Sequence, residues 1–202
     1  MTAFDIDPGS VATSKHTLAK YSPTEEFRCF AGNVFAPPFD DSEKFDIVYS
    51  WGVLHHTGSM WEAIEKAIEL VAPGGKLVIA IYRKTRFCRF WKAEKRFFSS
   101  LPKLLRWPIV WLYSALCFLR ILAKGQNPIS HIAEYEKKRG MSWYRDLIDW
   151  LGGYPYESAS SEEVIDFVER QGGQLHNALG TAPGFGLMGS GCAEYVFDFR
   201  LG

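Results

Sequence analysis

The sequence predicts an α/β fold built on a mostly parallel sheet with an antiparallel last strand. Two apolar, β-rich runs, Phe45 to Ser50 (FDIVYS) and Lys76 to Tyr82 (KLVIAIY), have the continuous hydrophobicity of strands buried in a parallel sheet. Between them lies an amphipathic helix. Met60, Trp61, Ile64, Ala67, Ile68 and Val71 share one face, while Glu62, Glu65, Lys66 and Glu69 share the other. Near the C-terminus, Glu194 to Arg200 alternates strictly, with Tyr195, Phe197 and Phe199 on one side, the pattern of an antiparallel closing strand.

The remaining elements follow in order. Thr2 to Asp5 reads as the tail of a strand that runs into a helix, with Asp7 as N-cap and Pro8 at the first helical position, where its missing N–H does no harm. Val11, Leu18 and Tyr21 give that helix a sparse apolar stripe up to Pro23, and Phe27 to Phe30 is a short strand. Ser59 and Glu62 have the spacing of a capping box at the start of the amphipathic helix. Pro73-Gly74-Gly75 ends that helix and turns the chain into the second strand, completing a βαβ unit with the usual right-handed crossover. Ser160 and Glu163 repeat the capping-box spacing before a helix whose buried face is Val164, Ile165, Phe167 and Val168. Gly172-Gly173 stops it, Gln174 to Thr181 is a strand, and a Gly-rich loop runs from Pro183 to Gly191. Ligands in such a fold bind outside the carboxyl ends of the strands.

A chain of 202 residues with 47% hydrophobic and 23% charged residues can bury a proper core. Its net charge is zero, so bulk charge names no partner. Cys29, Cys88, Cys117 and Cys192 lie far apart without metal-ligand spacing, so no metal is expected and the thiols read as reduced, in a cytoplasmic protein. Asp5 and Asp7 stand where a secretory signal would need a basic and then an apolar stretch.

The segment from Arg83 to Trp150 is too long for a connection between strands and reads as a helical insertion, dividing the chain into 1–82, 83–150 and 151–202. It opens with Arg83, Lys84, Arg86, Arg89, Lys92, Lys95, Arg96, Lys103 and Arg106 against Glu94 alone, interleaved with Phe87, Phe90, Trp91, Phe97 and Phe98. An apolar run from Trp107 to Ala123 follows, broken only by Arg120. Three readings stand. One is a helical lid packed over the sheet and substrate. The second is peripheral membrane contact through 83–123, since basic residues beside an apolar stretch suit anionic headgroups. The third is nucleic-acid binding, although no recognised RNA or DNA module accompanies the basic stretch. Tyr144 and Tyr154, in runs dense with glycine and aromatics, are candidate substrate-binding residues or seals of the lid.

The stretch FDIVYSWGVLHHT, then a helix, then LVAPGGKLVIAIY, resembles the fourth and fifth strands of class I S-adenosylmethionine-dependent methyltransferases, most closely their small-molecule, quinone-methyltransferase-like branch. FDIDPGSV resembles the end of that family's second strand, and Ala31-Gly32-Asn33-Val34 the loop after its third. DWLGGYPYE with GCAEYVF resembles the C-terminal part of one bacterial subgroup of unassigned substrate. The resemblance implies a Rossmann-like sheet and S-adenosyl-L-methionine as cofactor. It also implies an N-terminally truncated chain, because the family's first strand and its Gly-x-Gly-x-Gly loop would precede Asp5.

The same resemblance assigns residues. Asp5 occupies the place of the acid that accepts both ribose hydroxyls, with a turn or cap as its plain alternative. Asn33, with Val34 beside it, stands where the family binds adenine, or else favours a turn. Ser50, Trp51 and Gly52 follow the fourth strand, where the methionine part of the cofactor lies; Trp51 is pocket wall or core. His55 or His56 can take a proton from the acceptor, or fix the loop by hydrogen bonding. The expected activity is methyl transfer to a small apolar or amphipathic acceptor. The rivals are a catalytically inactive remnant serving as a binding or membrane-associated module, and a nicotinamide-dependent oxidoreductase, which the Pro-Gly-Gly turn and HHT loop do not support.

Overall fold

The computed structural model describes residues 1–21, 26–40, 42–182, 184–187 and 189–200. Pro23 and Pro183, read above as a helix end and a loop start, lie outside the described residues. In chain order the elements are β1 (Thr2–Asp5), α1 (Pro8–Tyr21), β2 (Arg28–Ala31), β3 (Phe45–Trp51), a 3-10 turn (Leu54–His56), α2 (Met60–Glu69) and β4 (Val71–Tyr82). Then come α3 (Cys88–Ser100), α4 (Lys103–Ala123), α5 (Pro128–Arg139), α6 (Trp143–Gly152), α7 (Ser161–Arg170), β5 (Gly173–Leu179) and β6 (Cys192–Phe199). They divide into two units: Met1–Arg83 with Ala159–Pro183 and Gly191–Gly202, and Lys84–Ser158 with Gly184–Ser190.

In the first unit the strands make two sheets. β1 and β2 pair in parallel, Thr2 opposite Arg28 through Asp5 opposite Ala31. The other sheet has the order β3-β4-β6-β5, parallel between β3 and β4 and antiparallel across β6. α2 and α7 cover one face of it. Ala63, Ile64, Ala67, Val164 and Val168 press on Leu77, Ile79 and Ile81 of β4 and on Tyr195 and Phe197 of β6. The side chains of β4 alternate accordingly, because successive residues of a strand point to opposite faces.

Asp7 caps α1 as its sequence position suggests: Oδ2 accepts from the Ser10 N–H at 2.8 Å and from the Ser10 hydroxyl at 3.0 Å. Ser160 and Glu163 form the complete reciprocal box at the start of α7, with bonds of 3.2 and 2.8 Å. Ser59 and Glu62 do not. Ser59 sits at φ −142°, ψ 62° and its hydroxyl caps nothing, while its N–H reaches the Thr57 hydroxyl at 3.4 Å. The Pro73-Gly74-Gly75 segment also differs from expectation, lying inside β4 rather than before it. The pairing jumps there, from Phe45 opposite Val71 to Ile47 opposite Lys76, so the turn is absorbed as an irregularity of the ladder. Gly75 is required at this point, since a Cβ would stand 2.9 Å from both the Ala72 and Asp46 carbonyl oxygens.

A further correction concerns β3. Its apolar run reads as a strand buried on both faces. Of its apolar side chains Val48 packs against the core beneath the helices, and Ile47, Tyr49 and Trp51 on the other side are 63%, 67% and 44% exposed. No described element covers that face or pairs with the outer edge of β3.

The second unit is helical. Phe98 of α3, Val110 of α4, and Leu147 and Leu151 of α6 form its core. Asn127 caps α5, accepting from the N–H groups of Ile129 and Ser130, and Gly140 at φ 76° ends it. Lys95 of α3 is fully buried. It donates to the Trp150 carbonyl and lies 3.5 Å from the centroid of the Trp150 ring. Burial pulls its ammonium down to about 8, against the opposing charge of Glu94.

β4 is the strand whose core contacts reach both helices, so Ile79→Ala should lower unfolding free energy by about 2–5 kcal/mol. Urea denaturation followed by far-ultraviolet circular dichroism measures this. A shift in midpoint no larger than that of a surface substitution would place the core elsewhere.

Candidate functional site

The carboxyl ends of β1, β2 and β3 carry the residues singled out by sequence. Asp5 ends β1 and is exposed. Its Oδ1 accepts the Asp7 N–H at 2.8 Å, and its second oxygen has no protein donor among the described residues. Beyond β2, the Asn33 side-chain oxygen accepts the Phe35 N–H at 3.1 Å, and Asn33 and Ala36 form an isolated bridge. The asparagine therefore shapes a turn, with one oxygen lone pair and the amide N–H groups left over. Val34 packs against the core.

Ser50 and Trp51 are the last residues of β3 and Gly52 follows them. Gly52 has φ +75°, and a Cβ built on it would meet nothing within 4 Å, so the backbone there is open to close approach by a ligand. Its N–H donates to the Ala80 carbonyl at 3.1 Å, which ties the turn to β4. Trp51 is 44% exposed and lies outside the core. With Tyr49, Val78, Leu179, Glu194 and Val196 it lines a shallow hollow of about 140 Å³ on the open sheet face. Its indole N–H donates to Glu194 Oε1 at 3.2 Å. Sequence reasoning missed Glu194. The signal was there, since strict alternation of β6 puts the buried Tyr195 and Phe197 on one side and Glu194 on the other.

The two histidines separate. His55 is fully buried, and its Nδ1 accepts the Tyr82 N–H at 3.3 Å. Its ring centroid lies 3.8 Å from that of Tyr82 and 4.4 Å from that of His56, and Nε2 is buried without a hydrogen-bond partner. Burial, reinforced by neighbouring His56, lowers its pKa from 6.5 to about 3. His56 is only partly buried and meets the Tyr82 ring edge-on at 5.2 Å. Tyr144 in α6 and Tyr154 beyond it, both 40% exposed, belong to the helical unit. Among the described residues no group of three or more His, Cys, Asp or Glu is placed to hold a metal ion.

A methyltransferase domain family matches residues 1–79, from β1 into β4. Solved structures match nearly the whole chain. The N-methyltransferase NodS from Bradyrhizobium japonicum WM9, in complex with S-adenosyl-L-homocysteine, aligns over 98% of this chain and 65% of its own at 15% identity and TM-score 0.51. This is a class I methyltransferase fold. PKMT2 from Rickettsia typhi, in complex with AdoHcy, covers 98% of this chain and 44% of its own at 10% identity and TM-score 0.60. Magnesium protoporphyrin IX methyltransferase (ChlM) from Synechocystis PCC 6803, with bound SAH, covers 98% and 64% at 12% identity and TM-score 0.53. The chain thus spans less than two thirds of each of these three. No curated protein matches it. Within the methyltransferase fold, Asp5, Asn33 and Gly52 all sit at strand ends inside the segment matched by the family.

The buried imidazole makes stability acid-sensitive. The folded ring stays neutral down to about pH 3, whereas the unfolded one takes up its proton near 6.5. The contribution is complete above 6.5 and is lost as pH falls from there toward 3. Between about pH 7 and pH 5, His55 should account for a loss on the order of 2 kcal/mol. His55→Gln, which accepts a hydrogen bond but does not titrate, should flatten that part of the stability–pH curve in urea titrations. Superimposable slopes would show that His55 is not the titrating group.

Proposed function

We propose that the chain takes part in methyl transfer from S-adenosyl-L-methionine to a small, apolar or amphipathic acceptor. The observation that carries this is the exposed Asp5 carboxylate, with one oxygen unclaimed, at a strand end within the segment matched by the methyltransferase domain family. A carboxylate so placed accepts hydrogen bonds from a vicinal diol, the recognition that adenosine ribose demands.

When bound, the cofactor supplies an electrophilic methyl group on a positively charged sulfur. The residues present hold and orient it. Asp5 receives the two ribose hydroxyls. Asn33 meets the adenine edge with its remaining oxygen lone pair and amide hydrogens, and Val34 lies beside it. Backbone at Ser50 and Gly52 approaches the methionine part, with the Trp51 ring beside it. Holding donor and acceptor in line supplies much of the acceleration, because the pair then reacts as one molecule. The acceptor's proton goes to His56, since His55 is fully buried and its Nδ1 is taken by the Tyr82 N–H. His55 then acts as support for its neighbour. Tyr144 and Tyr154 are the proposed acceptor contacts of the helical unit, and peripheral membrane contact through 83–123 suits an apolar acceptor.

Calorimetric titration with S-adenosylhomocysteine tests the reading. The chain should bind, and Asp5→Ala should weaken binding about tenfold or more, the equivalent of one or two charge-assisted hydrogen bonds. Absence of binding by the unaltered chain would overturn the enzymatic reading in favour of a non-catalytic module.

A further inference from the structure

Helix α4 departs from the usual pattern of a surface helix, being apolar on both faces. Its inner face packs through Ile109, Val110, Tyr113 and Cys117 against the core of the helical unit, and Ile121 is buried as well. Its outer face is apolar too: Leu104, Trp107, Trp111, Leu112, Leu116 and Leu119 are all between 48% and 79% exposed. A water-facing side would ordinarily be polar, and a contiguous apolar stripe along 21 residues marks a surface that something covers. Among the described residues α4 is the one helix long and apolar enough to cross a membrane.

Charge identifies the cover. Lys103 and Lys124 stand at the two ends of α4, with Arg120 in its last turn, all exposed. None of the three has a carboxylate partner among the described residues, and no Asp or Glu occurs from Lys95 to Ala133. A second copy of this chain laid on the same face would bring like charges together with no acid to separate them. An anionic lipid surface supplies both what the apolar stripe and what its basic ends require. Trp107 and Trp111 on the stripe suit the headgroup boundary, where an aromatic ring with one polar edge is stable.

We propose that α4 docks the helical unit onto an anionic bilayer as an in-plane interfacial helix, its outer face sunk among the acyl chains and Lys103, Arg120 and Lys124 against the headgroups. A spanning orientation is excluded by the inner face, which would have to leave Phe98, Leu147 and Leu151. The inference rests on the membrane reading of residues 83–123 and is independent of methyl transfer.

Co-sedimentation of the full chain with mixed phosphatidylcholine–phosphatidylglycerol vesicles, against phosphatidylcholine alone and without cofactor, tests it. Binding should favour the anionic vesicles and weaken in high salt. Each of Lys103→Gln, Arg120→Gln and Lys124→Gln should reduce partitioning roughly fivefold. Trp111→Glu combined with Leu112→Glu should abolish it with unchanged circular dichroism, because both side chains are already outside the core. Alkaline carbonate should release the bound protein; retention would overturn the in-plane orientation. Equal sedimentation of the wild type with both vesicle types would overturn the proposal. So would a dimer, seen by analytical ultracentrifugation, that the double variant dissociates while vesicle binding is absent. Titration with S-adenosylhomocysteine reports separately on the methyl-transfer reading, so either can fail alone.

Discussion

Strand β4 is the constraint on which the first unit depends. It is hydrogen-bonded on both edges, in parallel to β3 and antiparallel to β6. The side chains on one of its faces are the floor on which α2 and α7 rest. A strand so placed cannot slip by one residue without turning Leu77, Ile79 and Ile81 out of the core. Its register is held at its start by the Gly75 close approach and at its end by the Arg83–Ala159 bridge. The backbone N–H of Tyr82, the last residue of β4, holds the imidazole of His55, and the Ala80 carbonyl holds Gly52. The loop after β3 is thus positioned by β4, and the geometry of the candidate site follows from the core rather than from the loop's own preferences.

That arrangement also explains why His55 and His56 differ. Adjacent residues in a tight turn cannot point the same way, and the one directed inward gives up its charge to avoid desolvation. The buried ring lies tilted against Tyr82, their centroids 3.8 Å apart. His56 stays partly exposed and meets the Tyr82 ring edge-on. A doublet that looks redundant in sequence therefore separates into one fully buried ring and one partly buried ring.

Much of the fold was legible because it rests on local rules. The periodicity of α2 and α7, the Asp7 cap, the Ser160–Glu163 box and the alternation of β6 are all set by spacing alone. What spacing could not decide was set by partners distant in sequence. Ser59 and Glu62 have the same spacing as Ser160 and Glu163, yet the chain enters α2 from a 3-10 turn that leaves the Ser59 hydroxyl pointing elsewhere. FDIVYS reads as buried on both faces, but burial requires a covering element, and only the face toward the helices has one. At the site, Asp5 and Gly52 could be placed from the order of strands, whereas the Trp51–Glu194 bond spans 143 residues and depends on β6 lying beside β4.

The same limit applies to α4, with a different outcome. Its composition announces an apolar helix but not which side is covered. Periodicity gives no answer, because apolar residues surround almost the whole circumference. Only the packing of Val110, Tyr113 and Cys117 divides the helix into an inner and an outer face. Once divided, the outer face carries large apolar side chains in water, a cost that marginally stable proteins do not bear without compensation. The compensation has to be apolar along the stripe and negative at its ends. Those two demands together are more selective than either alone, since a protein surface readily offers the first and a nucleic acid the second, while an anionic bilayer offers both in the same geometry.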